Sequence, residues 1–493
     1  MHPQNLQQLA TELQGELVNS PLTPITCSTV TAATSEVVAG ALFVAIRGFK
    51  VDGHSLVDDA FKRGAVACVV EDPAALRGRP GITVGNTRLA LSRLASLFNG
   101  EPSRKLSVVG VTGTNGKTTT NWIIYSVMNR IGGGALRVGT LGSELLGTER
   151  FEGSLTSPDA LTINALLARA VEAGAKAAVM ETSSHALDQG RVEDVAFDVG
   201  VFTNLTRDHL DYHKTFEAYY LAKSHLFDLV KQSTKDPRAA VINADCEYGV
   251  RLIRYCEELG LKVFSFGASS SAEIRIESIS ETPSAMQIAV VVRSAGRKFL
   301  IEAPFIGKHN AENLVAAFGA CVALGYDPER VVECLKDIPQ VPGRLERVGQ
   351  GSRRVFVDYA HTPDALERAL AALRVSSRGK LWALFGCGGD RDRGKRPEMA
   401  RVAAAQADYV VVTSDNPRTE EPLSIIDDIL GSGICPAMVE VDRAKAIEAA
   451  IRASGEDDTI LIAGKGHEDY QIIGTEKIHF SDQEVALAVL NRL

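Results

Sequence analysis

The 493-residue sequence lacks the features of membrane, secreted and nucleic-acid-binding proteins. No apolar run approaches the roughly 20 residues that a membrane-spanning helix needs. The first residues, MHPQNLQQLATELQGEL, lack the basic and then apolar order of a secretory signal peptide. The formal net charge is −8 and no run of lysine and arginine occurs, which argues against a nucleic-acid binder. We expect no membrane span and no nucleic-acid partner.

Cysteine is present, but not in a pattern typical of disulfides or metal sites. The eight cysteines, at positions 27, 68, 246, 256, 321, 334, 387 and 435, include no C-x-x-C pair. They are therefore expected to be reduced thiols in a cytoplasmic protein.

Length and composition predict several domains. With 45% hydrophobic residues, the chain can bury more than one core and is too long for a single one. Two segments containing proline and glycine, FNGEPSRK at 98–105 and DIPQVPGR at 337–344, predict linkers. The expected domains are residues 1–103, 104–338 and 339–493.

Short β-branched segments alternate with helical patterns after the first linker. They are LSVVGV, KAAVME, DVGVFT and AAVIN, then RVFVDY, LWALFG, DYVVVT and TILIAG. This alternation predicts an α/β fold in which helices cover parallel sheets. A polar cluster follows nearly every segment, and ligands of such folds bind at the carboxyl ends of the strands. The sequence therefore predicts a cleft with two facing walls.

The stretch VVGVTGTNGKTTTNW at 108–122 predicts a phosphate-binding loop. A strand, a glycine-rich turn and a helix present backbone N–H groups and a helix dipole to a polyphosphate. Lys117 would reach the outer phosphates and the Thr118 hydroxyl would ligate Mg²⁺. A strict motif has glycine where this sequence has Val111, so an ordinary strand-to-helix turn is the alternative. The motif indicates a nucleoside triphosphate.

Two polar residues at predicted strand ends are candidate metal ligands. Glu181 follows KAAVM, where phosphate-loop proteins often hold a second carboxylate, but it could equally be a capping residue. His209, within TNLTRDHLDYH, is either a ligand or a hydrogen-bonded loop residue.

Lys223 lies in the apolar face of a predicted helix, FEAYYLAKSHLFDLV at 216–230. The same face carries Phe216, Tyr219, Tyr220, Leu226, Phe227 and Val230. The ammonium could reach water along this face. Burial would instead lower its pKa and leave a neutral amine that can add carbon dioxide.

The resulting carbamate would be an oxygen ligand suited to Mg²⁺. We therefore predict two metal ions, the first held by Thr118 and Glu181. His209 and carbamylated Lys223 would hold the second.

Nine motifs together resemble the Mur ligases that build bacterial peptidoglycan stems. They are GTNGKTTT, METSSHALDQGRV, TNLTRDHLDYHKTFEAYYLAKSHLF, GKHNAEN, PGRLERV, DYAHTPDAL, FGCGGDRDRGKRP, SDNPRTEEP and AGKGHEDYQ. The resemblance covers almost the whole chain. It implies a small N-terminal α/β domain for the uridine nucleotide, a central phosphate-loop ATPase domain and a C-terminal Rossmann-like domain for the incoming amino acid.

The resemblance implies ATP and Mg²⁺ as cofactors. The ATP residues would be Gly113, Thr114, Asn115, Gly116, Lys117, Thr118, Thr119, His309, Asn310, Asn313, Arg344 and Asp358. Asp358 suits a ribose hydroxyl, and Arg344 suits the charge on a transferring phosphoryl group. Lys117, Lys223 and Arg344 would be the catalytic residues. Because Arg344 and Asp358 follow the second linker, the ATP site would be complete only on domain closure.

The nucleotide-sugar substrate implied is UDP-N-acetylmuramoyl-L-alanyl-D-glutamate. Its binding residues would be Ala32, Thr34, Thr156, Ser157, Ser183, Gln189 and Arg191. Thr156 and Ser157 match the family's T-[TS]-P turn, and Arg191 can pair with a substrate carboxylate. Taken alone, Gln189 could also be a solvated surface residue. Family members commonly carry Asp-Ser-Arg where this sequence has Ala33, Thr34 and Ser35, so only the hydroxyl contact is retained.

The DNPR motif at 415–418 resembles the family members that add meso-diaminopimelate. The residues implied are Arg391, Asp415, Asn416, Pro417, Arg418, Gly464 and Glu468. Arg391 and Arg418 offer guanidinium groups to the distal carboxylate, which lysine lacks. Glu468 and the Asn416 side chain offer acceptors to the distal ammonium, and Gly464 allows backbone approach. Asn-Pro also predicts a β-turn here.

The implied reaction passes through an acyl phosphate, and no protein nucleophile is required. We expect a monomer. Four alternatives remain: a lysine-adding ligase of the same family, a folylpolyglutamate-type ligase, a phosphate-loop switch or motor, and a non-catalytic scaffold.

Overall fold

The computed structural model describes residues 2–48, 51–153, 155–282 and 285–493. These residues divide into two compact units. The first comprises residues 1–277, 290–299 and 312–335, and the second residues 278–289, 300–311 and 336–493, within the described ranges. No helix in the described part of the chain has both the length and the apolar character needed to cross a bilayer. The domain boundaries at 103/104 and 338/339 remain predictions.

The N-terminal part of the first unit is a small α/β fold. Its strands are β1 (Gln4–Asn5), β2 (Glu16–Val18), β3 (Thr26–Cys27), β4 (Thr29–Thr31), β5 (Ala41–Val44), β6 (Ala65–Val70) and β7 (Gly81–Thr83), and its helices are α1 (Leu6–Glu12), α2 (Val57–Lys62) and α3 (Thr87–Phe98). The main sheet has the order β2-β7-β6-β5-β4, and only β2 runs antiparallel to its neighbour.

The middle of the chain contains the phosphate loop. Its strands are β8 (Ser107–Thr112), β9 (Ala135–Gly139), β10 (Gly142–Leu145), β11 (Glu149–Phe151), β12 (Ala177–Glu181), β13 (Val199–Phe202), β14 (Ala239–Asn243), β15 (Lys262–Gly267), β16 (Ile274–Glu281), β17 (Met286–Val292) and β18 (Arg297–Ala303). Its helices are α4 (Lys117–Ile131), α5 (Ala160–Glu172), α6 (Ser184–Asp188), α7 (Leu210–His213), α8 (Phe216–Gln232), α9 (Glu247–Glu258), α10 (Lys308–Ala323) and α11 (Pro328–Leu335).

The parallel core of this sheet has the order β9-β12-β8-β13-β14-β15. After β8 the chain moves to one side of that strand, and after β12 it crosses to the other side. The carboxyl end of β8 is therefore a topological switch point, where α/β folds bind ligands. In the strand register, Glu181 lies opposite Val111, and Phe202 lies opposite Thr112. The loops that follow β8, β12 and β13 therefore begin at the same edge of the sheet.

Helix α8 confirms the predicted apolar helix. It begins after Thr215, whose hydroxyl accepts the Ala218 backbone N–H at 3.1 Å and caps the first turn. Its apolar face packs into the core beneath the sheet, with Leu226 and Phe227 fully buried. Because Lys223 lies on that face, the same packing that forms the helix buries the lysine.

The C-terminal part of the second unit is another α/β fold. Its strands are β19 (Glu346–Val348), β20 (Arg354–Asp358), β21 (Leu381–Phe385), β22 (Tyr409–Val412), β23 (Met438–Val439), β24 (Thr459–Ala463), β25 (Tyr470–Ile473) and β26 (Glu476–His479), and its helices are α12 (Pro363–Ser376), α13 (Lys395–Gln406), α14 (Pro422–Leu430), α15 (Arg443–Ala453) and α16 (Asp482–Leu490). The order is β19-β20-β24-β21-β22-β23, and only β19 is antiparallel to its neighbour. Each of the eight predicted strand segments is a strand that pairs with at least one parallel neighbour, which confirms the fold class.

A buried ion pair joins two strand ends of the C-terminal sheet. Arg443 donates from Nε and Nη2 to the Asp482 carboxylate, both at 2.7 Å, and neither side chain is exposed. The same guanidinium donates to the carbonyls of Ser414 and Ala463 at 3.1 and 3.0 Å. It therefore fixes the segments that follow β22 and end β24.

We predict that Arg443→Met lowers the free energy of unfolding by about 3–5 kcal/mol, because it leaves the Asp482 carboxylate buried without a partner. Thermal and denaturant unfolding measure the loss. The double variant Arg443→Met/Asp482→Leu should recover most of it, since the uncompensated charge is removed as well. A single variant as stable as the parent would contradict this role of the pair.

Candidate active site

The loop between β8 and α4 has the conformation that the phosphate-loop motif predicts. Gly113 and Gly116 have φ angles of +147° and +84°, which favour glycine. A Cβ on Gly113 would lie 1.9 Å from Thr203 Oγ1, and one on Gly116 would lie 2.3 Å from Asn313 Oδ1. Both positions therefore require glycine.

Val111 is compatible with this loop because it belongs to β8. It is buried and pairs with Glu181 of the neighbouring strand, so its backbone is extended and needs no glycine. The chain turns only after Thr112, and α4 begins at Lys117. The N-terminus of α4 therefore faces the loop, which is the arrangement that binds anions.

The segment after β13 holds the phosphate loop in place. The Asn204 carbonyl accepts the Thr114 N–H and its side-chain Oδ1 accepts the Asn115 N–H, both at 2.9 Å. Thr203 Oγ1 donates to the Asn115 carbonyl at 2.6 Å. The motif TNLTRDHLDYH predicted a role for His209 but none for Asn204. The missing information was the strand order, which places β13 beside β8.

Two lysine side chains donate to one carbonyl oxygen of the loop. Lys223 Nζ donates to the Gly113 carbonyl at 2.7 Å, and Lys117 Nζ donates to the same oxygen at 2.9 Å. Lys223 is 1% exposed, so the interpretation in which its ammonium reaches water is wrong. Burial, and then the positive charge of Lys117, hold the Lys223 pKa well below its usual value.

Tyr219 connects Lys223 to the phosphate loop. Its ring centroid lies 4.5 Å from Lys223 Nζ, and its hydroxyl lies 3.2 Å from Thr114 Oγ1. The His209 ring lies 6.1 Å from the same tyrosine ring. His209 exposes 45% of its side chain and lies 3.4 Å from Asp208, so it is a loop residue that faces the lysine region from solvent.

Glu181 lies at the centre of a buried hydroxyl network. Its Oε2 accepts the Thr118 hydroxyl at 3.0 Å and the Thr140 hydroxyl at 3.1 Å, while its Oε1 accepts the Thr140 N–H at 2.8 Å. Glu181 is 1% exposed and ends β12, and α6 is capped by Ser183, so it does not cap that helix. The Thr118 hydroxyl and Glu181 carboxylate form an oxygen donor set that fits Mg²⁺.

The second predicted pair of metal ligands, His209 and carbamylated Lys223, has fewer suitable donor atoms in the structure than the first. His209 supplies one nitrogen, and Lys223 fits a cation only after its amine becomes a carbamate. No group of three or more His, Cys, Asp or Glu side chains is arranged for a metal within the described ranges. The second metal therefore remains a prediction that depends on carbamylation.

The nucleotide-sugar residues predicted in the middle of the chain gather around the end of β12. Ser157 Oγ donates to the Glu181 carbonyl at 2.7 Å and accepts the Ser183 N–H at 3.0 Å. Thr156 Oγ1 lies 3.1 Å from Thr140 Oγ1, which itself contacts the Glu181 carboxylate. The T-S-P turn is thus hydrogen-bonded to the Glu181 backbone carbonyl through Ser157, and it reaches the Glu181 carboxylate only through Thr140.

Arg191 and Gln189 extend this network. Arg191 Nη1 donates to the Ser157 carbonyl at 2.9 Å, and Nη2 donates to Gln189 Oε1 at 2.7 Å. Gln189 Nε2 donates to the Tyr212 hydroxyl at 3.2 Å. Gln189 therefore orients the guanidinium, and the solvated-surface interpretation of Gln189 is wrong.

The N-terminal candidates follow β4. Ala32 and Thr34 are half-buried, and Thr34 begins the short 3₁₀-helix Thr34–Glu36. The Ala33 N–H donates to Thr31 Oγ1 at 3.0 Å, which forms the turn. The Thr34 hydroxyl therefore lies at a fixed turn, and its role in binding uridine remains a prediction.

The other predicted ATP residues belong to both compact units. Residues 113–119 and Asn313 belong to the first unit, where Asn313 Oδ1 accepts the Thr120 hydroxyl at 3.3 Å. His309, Asn310 and Arg344 belong to the second. Burial lowers the pKa of His309 to about 4, so its ring is neutral. Asn310 and Arg344 line a cavity of about 230 Å³ in this unit.

Asp358 has structural contacts as well as its predicted ribose contact. Its Oδ2 accepts the Leu345 N–H at 2.7 Å and its Oδ1 accepts the Ala360 N–H at 2.8 Å. Burial raises the pKa of this carboxyl, while the Arg344 guanidinium and these N–H donors oppose the rise. Asp358 thereby holds the backbone next to Arg344.

The DNPR segment is a constrained loop. Arg418 has φ of +54°, and its N–H donates to the Ile472 carbonyl at 3.1 Å. Its Nη1 donates to the Gly389 carbonyl at 2.8 Å, and the Gly389 N–H donates to the Asn416 carbonyl at 2.9 Å. The guanidinium is therefore aimed along the loop that follows β21. Arg391 of that loop is exposed.

Two glycines allow close packing around the same loop. A Cβ on Gly389 would lie 1.8 Å from the Pro417 carbonyl oxygen. A Cβ on Gly464 would lie 2.7 Å from Asp415 Oδ2. Gly464 thus makes room for the Asp415 carboxylate, in addition to any approach by substrate.

The predicted role of Asn416 needs correction. Its Oδ1 accepts from Lys465 Nζ at 2.9 Å and from the Ile472 N–H at 3.0 Å, which fills both acceptor positions. Its Nδ2 donates to Glu468 Oε2 at 2.9 Å. The side chain is therefore not an acceptor for a distal ammonium. Lys465, which sequence reasoning did not assign, is fully buried at this point, in the GKG sequence after β24.

Comparison with known proteins decides the family. Three family models match successive parts of the chain: "Mur ligase family, catalytic domain" at 26–99, "Mur ligase middle domain" at 111–321 and "Mur ligase, glutamate ligase domain" at 343–466. A UDP-N-acetylmuramoyl-L-alanyl-D-glutamate--2,6-diaminopimelate ligase of Geobacter sulfurreducens is 43% identical over 476 residues, covering 92% of each chain. The chain belongs to the Mur ligase family.

Solved structures agree with this membership. A structure of UDP-N-acetylmuramoyl-L-alanyl-D-glutamate--2,6-diaminopimelate ligase matches with a TM-score of 0.72 at 31% identity, covering 94% of this chain and 95% of that one. The folylpolyglutamate synthase of Mycobacterium tuberculosis matches with a TM-score of 0.63 at 18% identity, covering 76% of this chain and 92% of that one, which shows a shared fold alone. The predicted class, an ATP-dependent amide-bond-forming ligase, is confirmed by the family.

The Mur ligase also has a cavity of about 1500 Å³ that belongs to none of the predicted sites. It lies in the first unit and is lined by residues of α8 and α9, among them Tyr220, His225 and Tyr255. Lys223 is on a different face of α8. None of the predicted site residues lines this cavity.

Proposed function

We propose that this Mur ligase adds meso-diaminopimelate to UDP-N-acetylmuramoyl-L-alanyl-D-glutamate in cytoplasmic peptidoglycan precursor synthesis. The observation that carries the proposal is the DNPR loop, which holds the Arg418 guanidinium and, through Asn416, the Glu468 carboxylate. Diaminopimelate ends in both a carboxylate and an ammonium, which such a pair of opposite charges fits. The 43% identical relative carries the same activity in its name.

ATP binding is assigned to the phosphate loop and α4. Backbone N–H groups at the N-terminus of α4 and the Lys117 ammonium would hold the phosphates. Thr118 and Glu181 would hold one Mg²⁺, and His209 with carbamylated Lys223 would hold another. When bound, the metal would offset negative charge on the phosphates and the acceptor carboxylate.

The reaction has two steps. The substrate's acceptor carboxylate attacks the γ-phosphorus of ATP, so that a carboxyl O–P bond forms and the bond to ADP breaks. The amine of diaminopimelate then attacks the acyl carbon, loses a proton to solvent, and releases inorganic phosphate. Both partners in the first step are anionic, so charge compensation by Lys117 and Arg344 is the main contribution of the chain.

The binding of the acceptor is assigned to the network at the end of β12. Arg191, oriented by Gln189, would pair with a substrate carboxylate. Because Ser157 contacts the Glu181 carbonyl, this network would bring the acceptor close to the phosphate loop. Proximity converts a reaction between two molecules into one within the complex.

The competing functions differ in what they require. A lysine-adding ligase has no use for Arg418. A folylpolyglutamate-type ligase would not need the N-terminal domain that matches the Mur family model at 26–99. A phosphate-loop switch would release ADP without either substrate, and a scaffold would not retain Lys117, Glu181, Lys223 and Arg344.

Arg418→Ala should lower kcat/KM for meso-diaminopimelate by about 100-fold, because an unpaired carboxylate costs several kcal/mol in a desolvated site. Activity with L-lysine should change by less than about threefold, since lysine has no distal carboxylate. ADP release with each amino acid and the muramoyl dipeptide measures both. Arg401→Ala, an exposed arginine of α13, is the matched control. An unchanged preference for diaminopimelate would contradict the proposal.

Lys223→Ala should lower kcat by about 100-fold or more, because a carbamate oxygen is lost from the metal set. Added acetate or formate should restore part of this activity by occupying the vacated position. Lys231→Ala, on the exposed side of the same helix, is the control that should neither lose activity nor respond to acid. The carbamate is ruled out if the acids fail to restore activity and electron density at the amine ends at Nζ.

A further inference from the structure

Lys465 is buried between two carboxylates of the amino-acid site. Its Nζ lies 3.5 Å from Asp415 Oδ1 and 3.6 Å from Glu468 Oε2, and the lysine side chain is fully buried. The shortest contact of the ammonium is nevertheless with the Asn416 amide oxygen, at 2.9 Å. Lys465 therefore balances two charges while it makes its hydrogen bond to a neutral group.

This hydrogen bond fixes the orientation of the Asn416 amide. An ammonium and a backbone N–H can only donate, and both Lys465 and Ile472 point at the same side-chain atom of Asn416. That atom must be the oxygen, so the NH₂ group must face the other way. There it donates to Glu468 Oε2 at 2.9 Å. The three side chains form a directional series from Lys465 through Asn416 to Glu468.

The backbone around this series is held independently. Arg443 donates to the carbonyls of Ser414 and Ala463, which precede Asp415 and Gly464. The Gln471 amide donates to the Asp415 carbonyl at 2.6 Å. Replacement of Lys465 would therefore leave the backbone of the loops after β22 and β24 unchanged. It would alter only the hydrogen bonds of the side-chain series.

We infer that Lys465 is a positioning residue that orients the Glu468 carboxylate, through Asn416, toward the distal ammonium of the amino-acid substrate. This inference rests on the proposed function. Lys465 also places a positive charge between the Asp415 and Glu468 carboxylates, which offsets the repulsion between them. A misdirected Glu468 carboxylate would be a poor acceptor for an ammonium.

The amino-acid site would thereby recognise the distal carboxylate and the distal ammonium of the substrate through different residues. Arg418 would recognise the distal carboxylate, and the series that starts at Lys465 would recognise the distal ammonium. L-2-Aminopimelate has the distal carboxylate of diaminopimelate but lacks the distal amine. The ratio of kcat/KM for diaminopimelate to that for 2-aminopimelate therefore reports on ammonium recognition alone.

Lys465→Met should lower this ratio by about tenfold or more, since a charge-assisted hydrogen bond is weakened. The KM for diaminopimelate should rise, while the KM values for ATP and the muramoyl dipeptide should stay within about twofold, because only the binding of the amino acid is affected. Lys477→Met is the matched control. Both lysines face the Tyr470 ring, with Lys477 Nζ 3.9 Å and Lys465 Nζ 5.7 Å from its centroid. Lys477, however, is exposed.

A double-mutant cycle with Asn416→Ala tests the path through the amide. If Lys465 acts through Asn416, the double variant should lose no more of the ratio than the Asn416→Ala variant alone. Additive losses, or a ratio that Lys465→Met leaves unchanged or raises, would overturn the inference. Equal losses with both amino acids would indicate a purely structural role and overturn it as well. If the parent enzyme does not use diaminopimelate at all, the proposed function fails instead.

Discussion

The hydrogen bond between the buried Lys223 amine and the Gly113 carbonyl is the constraint on which the proposed chemistry of Lys223 depends. It joins the buried face of α8 to the turn that follows β8, at 2.7 Å. A lone ammonium in a protein core is costly, and the nearby Lys117 adds repulsion. Packing of α8 against the sheet holds the lysine there in spite of this cost. The fold thus keeps an amine in a state that a surface lysine would not adopt.

Charge compensation recurs at the strand ends to which we assign the chemistry. In the first unit, two lysines converge on the loop while Glu181 takes three hydrogen bonds from threonines. In the second unit, Lys465 lies between Asp415 and Glu468, and Arg443 is paired with Asp482. The buried charges at these strand ends are therefore paired or hydrogen-bonded, as a low-dielectric interior requires. Such groups are already in place before a charged substrate arrives, which is what electrostatic catalysis needs.

The sequence predicts the architecture well, because the strands are short, β-branched and buried on both faces. Each predicted segment is a strand, and the helix at 216–230 extends from Phe216 to Gln232. The phosphate loop could be located because glycine and lysine have strict conformational and chemical roles there.

Prediction was weaker where partners are distant in sequence. Asn204 contacts the loop 89 residues earlier, and Lys465 contacts Asn416 at a separation of 49 residues. Their roles follow from strand order, which periodicity does not give. The acceptor role expected of Asn416 was wrong for the same reason, since the lysine that occupies its oxygen comes from another strand end.

The central claim is that the acceptor is activated as a mixed anhydride with phosphoric acid. The most direct test uses muramoyl dipeptide labelled with ¹⁸O in its acceptor carboxylate, with ATP, Mg²⁺ and meso-diaminopimelate, and mass analysis of the inorganic phosphate released. We predict that each phosphate carries one oxygen from the carboxylate, because the amine breaks the acyl C–O bond. Phosphate free of the label, formed together with the amide product, would contradict it.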